Sequence, residues 1–138
     1  MKFIYRRIYL IDDNPDSLFI TKYFLNTIYE EAEIVDFLSP EEGLSIIKEQ
    51  TSDQKDLLLL DINMPTMTGW QFLEAVNEKW PEAVLNNTKV CIFTSSTRPA
   101  DSKKAELHPL VSHYAEKPVS VNDMKIIMEA LEKGWSNF

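Results

Sequence analysis

Four consecutive leucines, Leu57 to Leu60, run directly into Asp61, and no other stretch restricts the fold of this chain as strongly. A short apolar run with a charge before it and a proline soon after fits a strand buried on both faces, as in a parallel sheet. Asp61 then sits at the carboxyl end of that strand. Loops diverge at the carboxyl ends of open parallel sheets and leave a crevice where ligands bind, so an aspartate there is a candidate reactive residue. Pro65 and Gly69 forbid a continuous helix from Asp61, and the chain must loop over the crevice before a helix starts near Trp70. Taken alone, Asp61 reads more simply as a helix cap or turn residue. Its counterparts elsewhere in the chain change that.

With 138 residues, 44% of them hydrophobic, the chain suits one domain whose core needs neither metal nor disulfide. The formal net charge of -8 repels phosphate backbones and anionic lipid, which argues against direct nucleic-acid or membrane binding. The single cysteine, Cys91, lies in the apolar run from Val90 to Phe93 and is expected to be a buried thiol in a reducing compartment. The amino-terminal stretch MKFIYRRIYLIDD is too short in apolar residues for a signal peptide or a membrane span, so the expected location is cytoplasmic.

In chain order, Ile8 to Ile11 reads as a strand ending in Asp12 and Asp13, with Asn14 as N-cap and Pro15 as first residue of a helix. That helix carries Ile20, Phe24 and Ile28, with Leu25 beside them, as an expected buried stripe. Glu33 to Leu38 reads as a second strand, and Ser39, Pro40 and Glu42 open a helix that buries Leu44 and Ile47. Thr51 to Lys55 is a polar loop. After the central strand, Phe72, Leu73, Val76 and Trp80 form one helical face that Pro81 stops. Lys89 to Phe93 is the fourth strand, followed by the hydroxyl run Thr94 to Thr97. Arg98 to Leu107 is a weakly amphipathic fourth helix. Val111 to Ala115 is the fifth strand, followed by Glu116, Lys117 and Pro118. Ser120 and Asp123 then start a fifth helix lined by Met124, Ile127, Met128 and Leu131 and ending before Gly134. Five strand and helix pairs in alternation imply an α/β fold, a parallel sheet with helices on both sides.

The polar residues just beyond strands one, three, four and five are Asp12 and Asp13, Asp61, Thr94 and Lys117, and their loops open on one edge. Three carboxylates in one crevice repel and are driven toward protonation unless a cation neutralises them. Magnesium suits a few carboxylate oxygens, waters and a phosphate oxygen, whereas soft metals need His or Cys ligands that this edge lacks. A lysine and a hydroxyl opposite a carboxylate then describe a phosphoryl-transfer site in which an aspartate is the acceptor.

These motifs resemble, over essentially the whole chain, the receiver domain of the two-component response regulators: the acidic pair Asp12-Asp13, D-x-x-M-P-x-x-x-G from Asp61 to Gly69, Thr94, and Lys117-Pro118. The resemblance implies a flavodoxin-like doubly wound (βα)5 fold with strand order 2-1-3-4-5. It implies that Asp61 is the phosphoacceptor, that Asp13 and Asp61 bind Mg2+ directly, that Asp12 holds it through water, and that Asn63 contributes its backbone carbonyl. It further implies that Thr94 hydrogen-bonds the phosphoryl group, that Lys117 pairs with it, that Tyr114 is an aromatic switch responding to Thr94, and that Lys117-Pro118 is a cis bond. Residues two beyond the acceptor and two beyond the threonine, Asn63 and Ser96, tune phosphoryl lifetime in the family. The stretch PEAVLNNT from Pro81 to Thr88 looks longer than the family's usual link.

The implied partners are a histidine kinase or histidine phosphotransfer protein and a downstream protein target, with a phosphorylation-dependent dimer left open. No enzyme activity is expected beyond self-phosphorylation and self-dephosphorylation at Asp61. The chain ends four residues beyond Gly134, so the expected organisation is a stand-alone receiver without an output domain. The output surface is expected on the fourth helix, fifth strand and fifth helix, with Lys104, His113 and Lys125 as contacts, because the fourth helix buries least. Alternatives are a phosphorylation-independent interaction module on this fold, and a magnesium-dependent hydrolase, which would want an acid where Asn63 stands. His108 and His113 read as solvated loop residues rather than ligands. Trp135 and Phe138 read as packing back on the domain or forming a small contact patch.

Overall fold

The computed structural model describes residues 5–50, 55–95 and 98–136, with side chains through residue 133. Its five strands are β1 (Arg7–Ile11), β2 (Glu33–Phe37), β3 (Asp56–Leu60), β4 (Thr88–Thr94) and β5 (Val111–Glu116). They form one parallel sheet in the order β2-β1-β3-β4-β5, the expected arrangement. The helices are α1 (Pro15–Ile28), α2 (Pro40–Ile47), α3 (Gly69–Lys79), α4 (Glu82–Asn87), α5 (Pro99–Leu107) and α6 (Val121–Ser136).

The leucine run explains why β3 is central. Alternate side chains of a strand leave on opposite faces, and each face of β3 meets its own core. Leu58 and Leu60 pack with Tyr9, Val90, Ile92 and the α2–α3 side. Leu57 and Leu59 pack with Ile8, Leu10, Cys91 and Phe93 against α1 and α6. All four leucines are buried, as is Cys91, whose thiol burial pushes well above its ordinary pKa. Among the described residues no helix is long and apolar enough to cross a membrane.

Several sequence expectations change. The pairs do not alternate strictly, because Pro81 to Thr88 contains the extra helix α4, which buries Val84. The buried stripe of α1 is Leu18, Thr21 and Leu25, with Phe24 and Ile28 only partly buried and Ile20 exposed. Apolar residues lie on more than one side of this helix, so a spacing of four selects two faces equally well. Helix α6 runs through Gly134 to Ser136; one glycine near a helix end costs only about 1 kcal/mol. No described peptide bond is cis, so Lys117-Pro118 has the trans form that X-Pro bonds ordinarily prefer. The loop from Thr51, Ser96, and the side chains of Trp135 and Phe138 lie outside the described residues.

The helix starts follow local chemistry. Asn14 accepts from the Asp16 and Ser17 N–H groups, and Ser39 Oγ accepts from the Glu42 N–H. Thr68 and Gln71 form a reciprocal capping box at α3 that the sequence reading did not single out.

Candidate acidic phosphoryl-transfer site

Backbone hydrogen bonds carry the sheet one residue past the strands and fix the site. Asp12 N–H donates to Phe37 O at 3.2 Å, Asp61 N–H to Ile11 O at 3.0 Å, and Lys117 N–H to Thr94 O at 2.8 Å. The carboxylates of Asp12, Asp13 and Asp61 consequently converge, each offering an oxygen within 4.8 Å of the others. Asp12, Asp61 and Thr94 are buried. Lys117 Nζ donates to Asp12 Oδ2 at 2.7 Å and lies 3.6 Å from Asp61 Oδ2.

One ammonium does not balance three carboxylates. Burial is the main force on Asp61, pushing its carboxyl up to about 6; Lys117 pulls it down and Asp12 pushes it up again. A carboxylate buried in this way and crowded by a like charge favours a neutralising cation. The donor set is all oxygen, so Asp12, Asp13 and Asp61 fit a hard divalent ion of the magnesium type. Bound there, such an ion would offset the negative charge of the carboxylates.

The loop after Asp61 closes over this edge. Asn63 N–H donates to Asp61 Oδ1 at 3.3 Å, and the Asn63 side-chain amide reaches Thr94 Oγ1 at 3.4 Å. Gly69 N–H donates to Ile62 O at 3.1 Å. Here the residue must be glycine for lack of space: a Cβ would fall 2.7 Å from Asp61 O and 2.7 Å from the Ile62 Cα. Tyr114 is half-buried beside a hollow of about 280 Å³ between α5 and β5, lined also by Ala105 and His113. Asp12, Asp13, Asp61, Asn63, Thr94 and Lys117 thus come together, while Tyr114 lies on β5 opposite Ile92, short of the cluster. The sequence reading missed two features, the Asn63 amide's contact with Thr94 and the steric role of Gly69. A glycine eight residues beyond a strand-end aspartate and just ahead of an apolar helical face was the available signal for the second.

His108 and His113 are partly buried rather than solvated, and burial lowers both pKa values from the ordinary histidine value. Neither lies in the acidic cluster.

Fold and site together define a class: a doubly wound parallel domain with an acidic cluster, a hydroxyl and a lysine at its carboxyl edge. A family model described as the response regulator receiver domain matches residues 8–129, and the chain belongs to that family, whose members serve two-component systems. It is 30% identical over 114 residues to the sensor protein GacS of Pseudomonas syringae pv. syringae, covering 83% of this chain and 12% of that protein. It is 27% identical over 127 residues to the probable C4-dicarboxylate response regulator DctR of Bacillus subtilis, covering 92% of this chain and 51% of that one. The chain therefore spans only part of the curated relatives it matches. Among solved structures, a response regulator receiver protein from Dyadobacter fermentans superposes with a TM-score of 0.83 at 22% identity, covering 94% of this chain and 97% of that one. The response regulator TrrA from Thermotoga maritima, solved in complex with Mg(2+)-BeF, gives 0.69 at 22% identity, covering 91% and 98%.

Proposed function

We propose that Asp61 accepts a phosphoryl group in two-component signalling, taken from a histidine kinase or histidine phosphotransfer protein. The observation that carries this reading is the convergence of the Asp12, Asp13 and Asp61 carboxylates beside Lys117. An Asp61 carboxylate oxygen attacks phosphorus, the P–N bond to the donor imidazole breaks, and the electron pair leaves with the imidazole, which takes up a proton. Asp13 and Asp61 directly, Asp12 through water and the Asn63 backbone carbonyl would hold Mg2+, which would supply charge compensation. TrrA, a receiver of the same fold, was solved with Mg(2+)-BeF. Lys117 swings from Asp12 toward the phosphoryl oxygens, and the Thr94 hydroxyl donates to one of them. The chemistry is confined to the chain's own aspartate, so it is a signalling acceptor rather than an enzyme acting on other substrates.

Helix α1 starts at the acidic edge and exposes Phe19 (73%), Ile20 and Tyr23, while Val119 (86%) follows Lys117-Pro118. These apolar side chains flank the site and suit a protein donor. The output reading keeps to α5, β5 and α6, with Tyr114 as the switch and Lys104, His113 and Lys125 as contacts, toward a downstream protein.

Intact-mass measurement after acetyl phosphate treatment tests the assignment. One phosphoryl adduct is expected with magnesium, none in excess chelator, and none for Asp61→Asn. Equal adduct in chelator or in the variant overturns it.

A further inference from the structure

Trp70 joins two parts of the molecule that are otherwise held by different means. It follows Gly69, which is bonded to Ile62 O and packed against Asp61 O so closely that no Cβ fits. The Trp70 backbone is therefore fixed to the loop that carries Asp61. Its ring reaches the other way, to α5. Lys104 Nζ lies 4.9 Å from the ring centroid, and the His108 ring stacks at 6.3 Å with planes 30° apart. His108 is itself oriented, because its Nδ1 accepts from the Leu110 N–H at 3.2 Å.

These contacts matter because, apart from the packing of Ala105 toward β5, α5 buries little apolar surface. Its buried residues are Asp101 and Ala105, its apolar Leu107 is 74% exposed, and its sequence places no apolar stripe on one side. Lys104 lies in the last turn of α5 and His108 caps the end of that helix, so both meet the indole at the carboxyl end of α5. A cation over an aromatic face and a stacked imidazole thus add to the buried Ala105 in holding the carboxyl half of α5.

We propose that Trp70 is a positioning residue that clasps the carboxyl half of α5 to the phosphoacceptor loop, by a route separate from Thr94 and Tyr114. Its link to phosphorylation rests on the function proposed above; the clasp in the unphosphorylated protein does not. Any shift of the Asp61 loop reaches α5 through the indole, and loosening the indole frees α5 without touching the acidic cluster.

Amide exchange over residues 99–107 of the full chain decides it. In the unphosphorylated protein, Trp70→Leu and Lys104→Met are each expected to speed exchange by about two- to fivefold, the loss expected for one cation–aromatic contact at a partly exposed site. Combining them should add little to Trp70→Leu alone, because they remove the same contact. Lys103→Met, which removes a neighbouring charge that does not meet the ring, should leave exchange at the parent rate. Lys104→Met alters an exposed position, so it keeps the test open if Trp70→Leu folds poorly. Parent-like exchange in Lys104→Met, or equal acceleration by Lys103→Met, overturns the clasp. With acetyl phosphate and magnesium, the response of 99–107 should at least halve in Trp70→Leu while its intact mass shows the parent's adduct. A full-sized response with a full adduct overturns the coupling. A parent that takes no adduct overturns the proposed function alone, and the unphosphorylated comparison still decides the clasp.

Discussion

Helices α3 and α5 both leave the carboxyl edge of the sheet a short loop beyond a site residue, Asp61 for one and Thr94 for the other, yet they are built in opposite ways. Helix α3 buries Phe72, Leu73 and Val76, carries a reciprocal capping box, and is continued by Trp80, whose indole N–H donates to Leu44 O at 3.0 Å. Phe72 and Trp80 also meet edge to face, with centroids 6.1 Å apart. Helix α5 buries Asp101 and Ala105, and Arg98 pairs with Asp101 across its first turn. The difference assigns the two helices different work. The acceptor side is held rigid so that carboxylates stay converged. Helix α5 buries less apolar surface, so a small change in free energy can move it.

If α3 is the rigid member, Phe72→Ala should cost about 3–5 kcal/mol in chemical denaturation, as large-to-small changes in a packed core do. A loss below about 1 kcal/mol would remove the contrast. Gly69→Ala tests the joint between α3 and the acid loop. Backbone atoms stand where the methyl group must go, so a loss of about 1–3 kcal/mol is expected by the same measurement. A neutral outcome would mean that the loop can give way.

The acid cluster gives a pH-dependent prediction of opposite sign. The Asp61 carboxyl is pushed up to about 6 in the folded chain, above the ordinary 3.8, so the folded chain binds this proton more tightly than the unfolded chain does. Stability from Asp61 is therefore full below about pH 4 and lost as pH rises through about 6. Asp61→Asn should be more stable than the parent above pH 6 in metal-free buffer, on the order of 1–3 kcal/mol, with the gain vanishing near pH 4. Thermal melts across that range check it; a gain independent of pH would point to another cause. Magnesium at ten times its dissociation constant should add about 1.4 kcal/mol to the parent and none to Asp61→Asn. The smallest effect belongs to α5: Ala105→Gly should cost about 1 kcal/mol, chiefly helix propensity.

The same asymmetry governs what could be read from the sequence. Strands β1, β3 and β4 and the polar residues at their ends were legible because a strand buried on both faces leaves an unbroken apolar run with an abrupt polar end. Helix α3 was legible because Phe72, Leu73 and Val76 fall on one face. Helix α1 was misread because Phe19, Ile20, Tyr23 and Phe24 spread apolar surface around the helix, and only the packed neighbours choose which side turns inward. The PEAVLNNT stretch looked like an extended link because six residues hold too little periodicity to signal a helix. The Lys117 contact with Asp12 joins residues 105 positions apart, and no local pattern records such a distance. The buried Lys89 likewise lies in a stretch that reads as apolar. It donates to the Leu131 carbonyl of α6 at 2.9 Å, which gives its ammonium a partner below the sheet.

Helix α4 bears on how the protein could be altered by design. It lies just before β4, at the amino edge of the sheet, with the full length of the strands between it and the carboxylates. Lengthening a surface connection costs chain entropy only slowly, about 0.6 kcal/mol for each doubling. Val84 is the residue α4 buries, while Asn86 is exposed. A reporter peptide or fluorophore carried at Asn86 would therefore travel with the domain as a passenger, leaving both the acidic edge and α5 free to be observed.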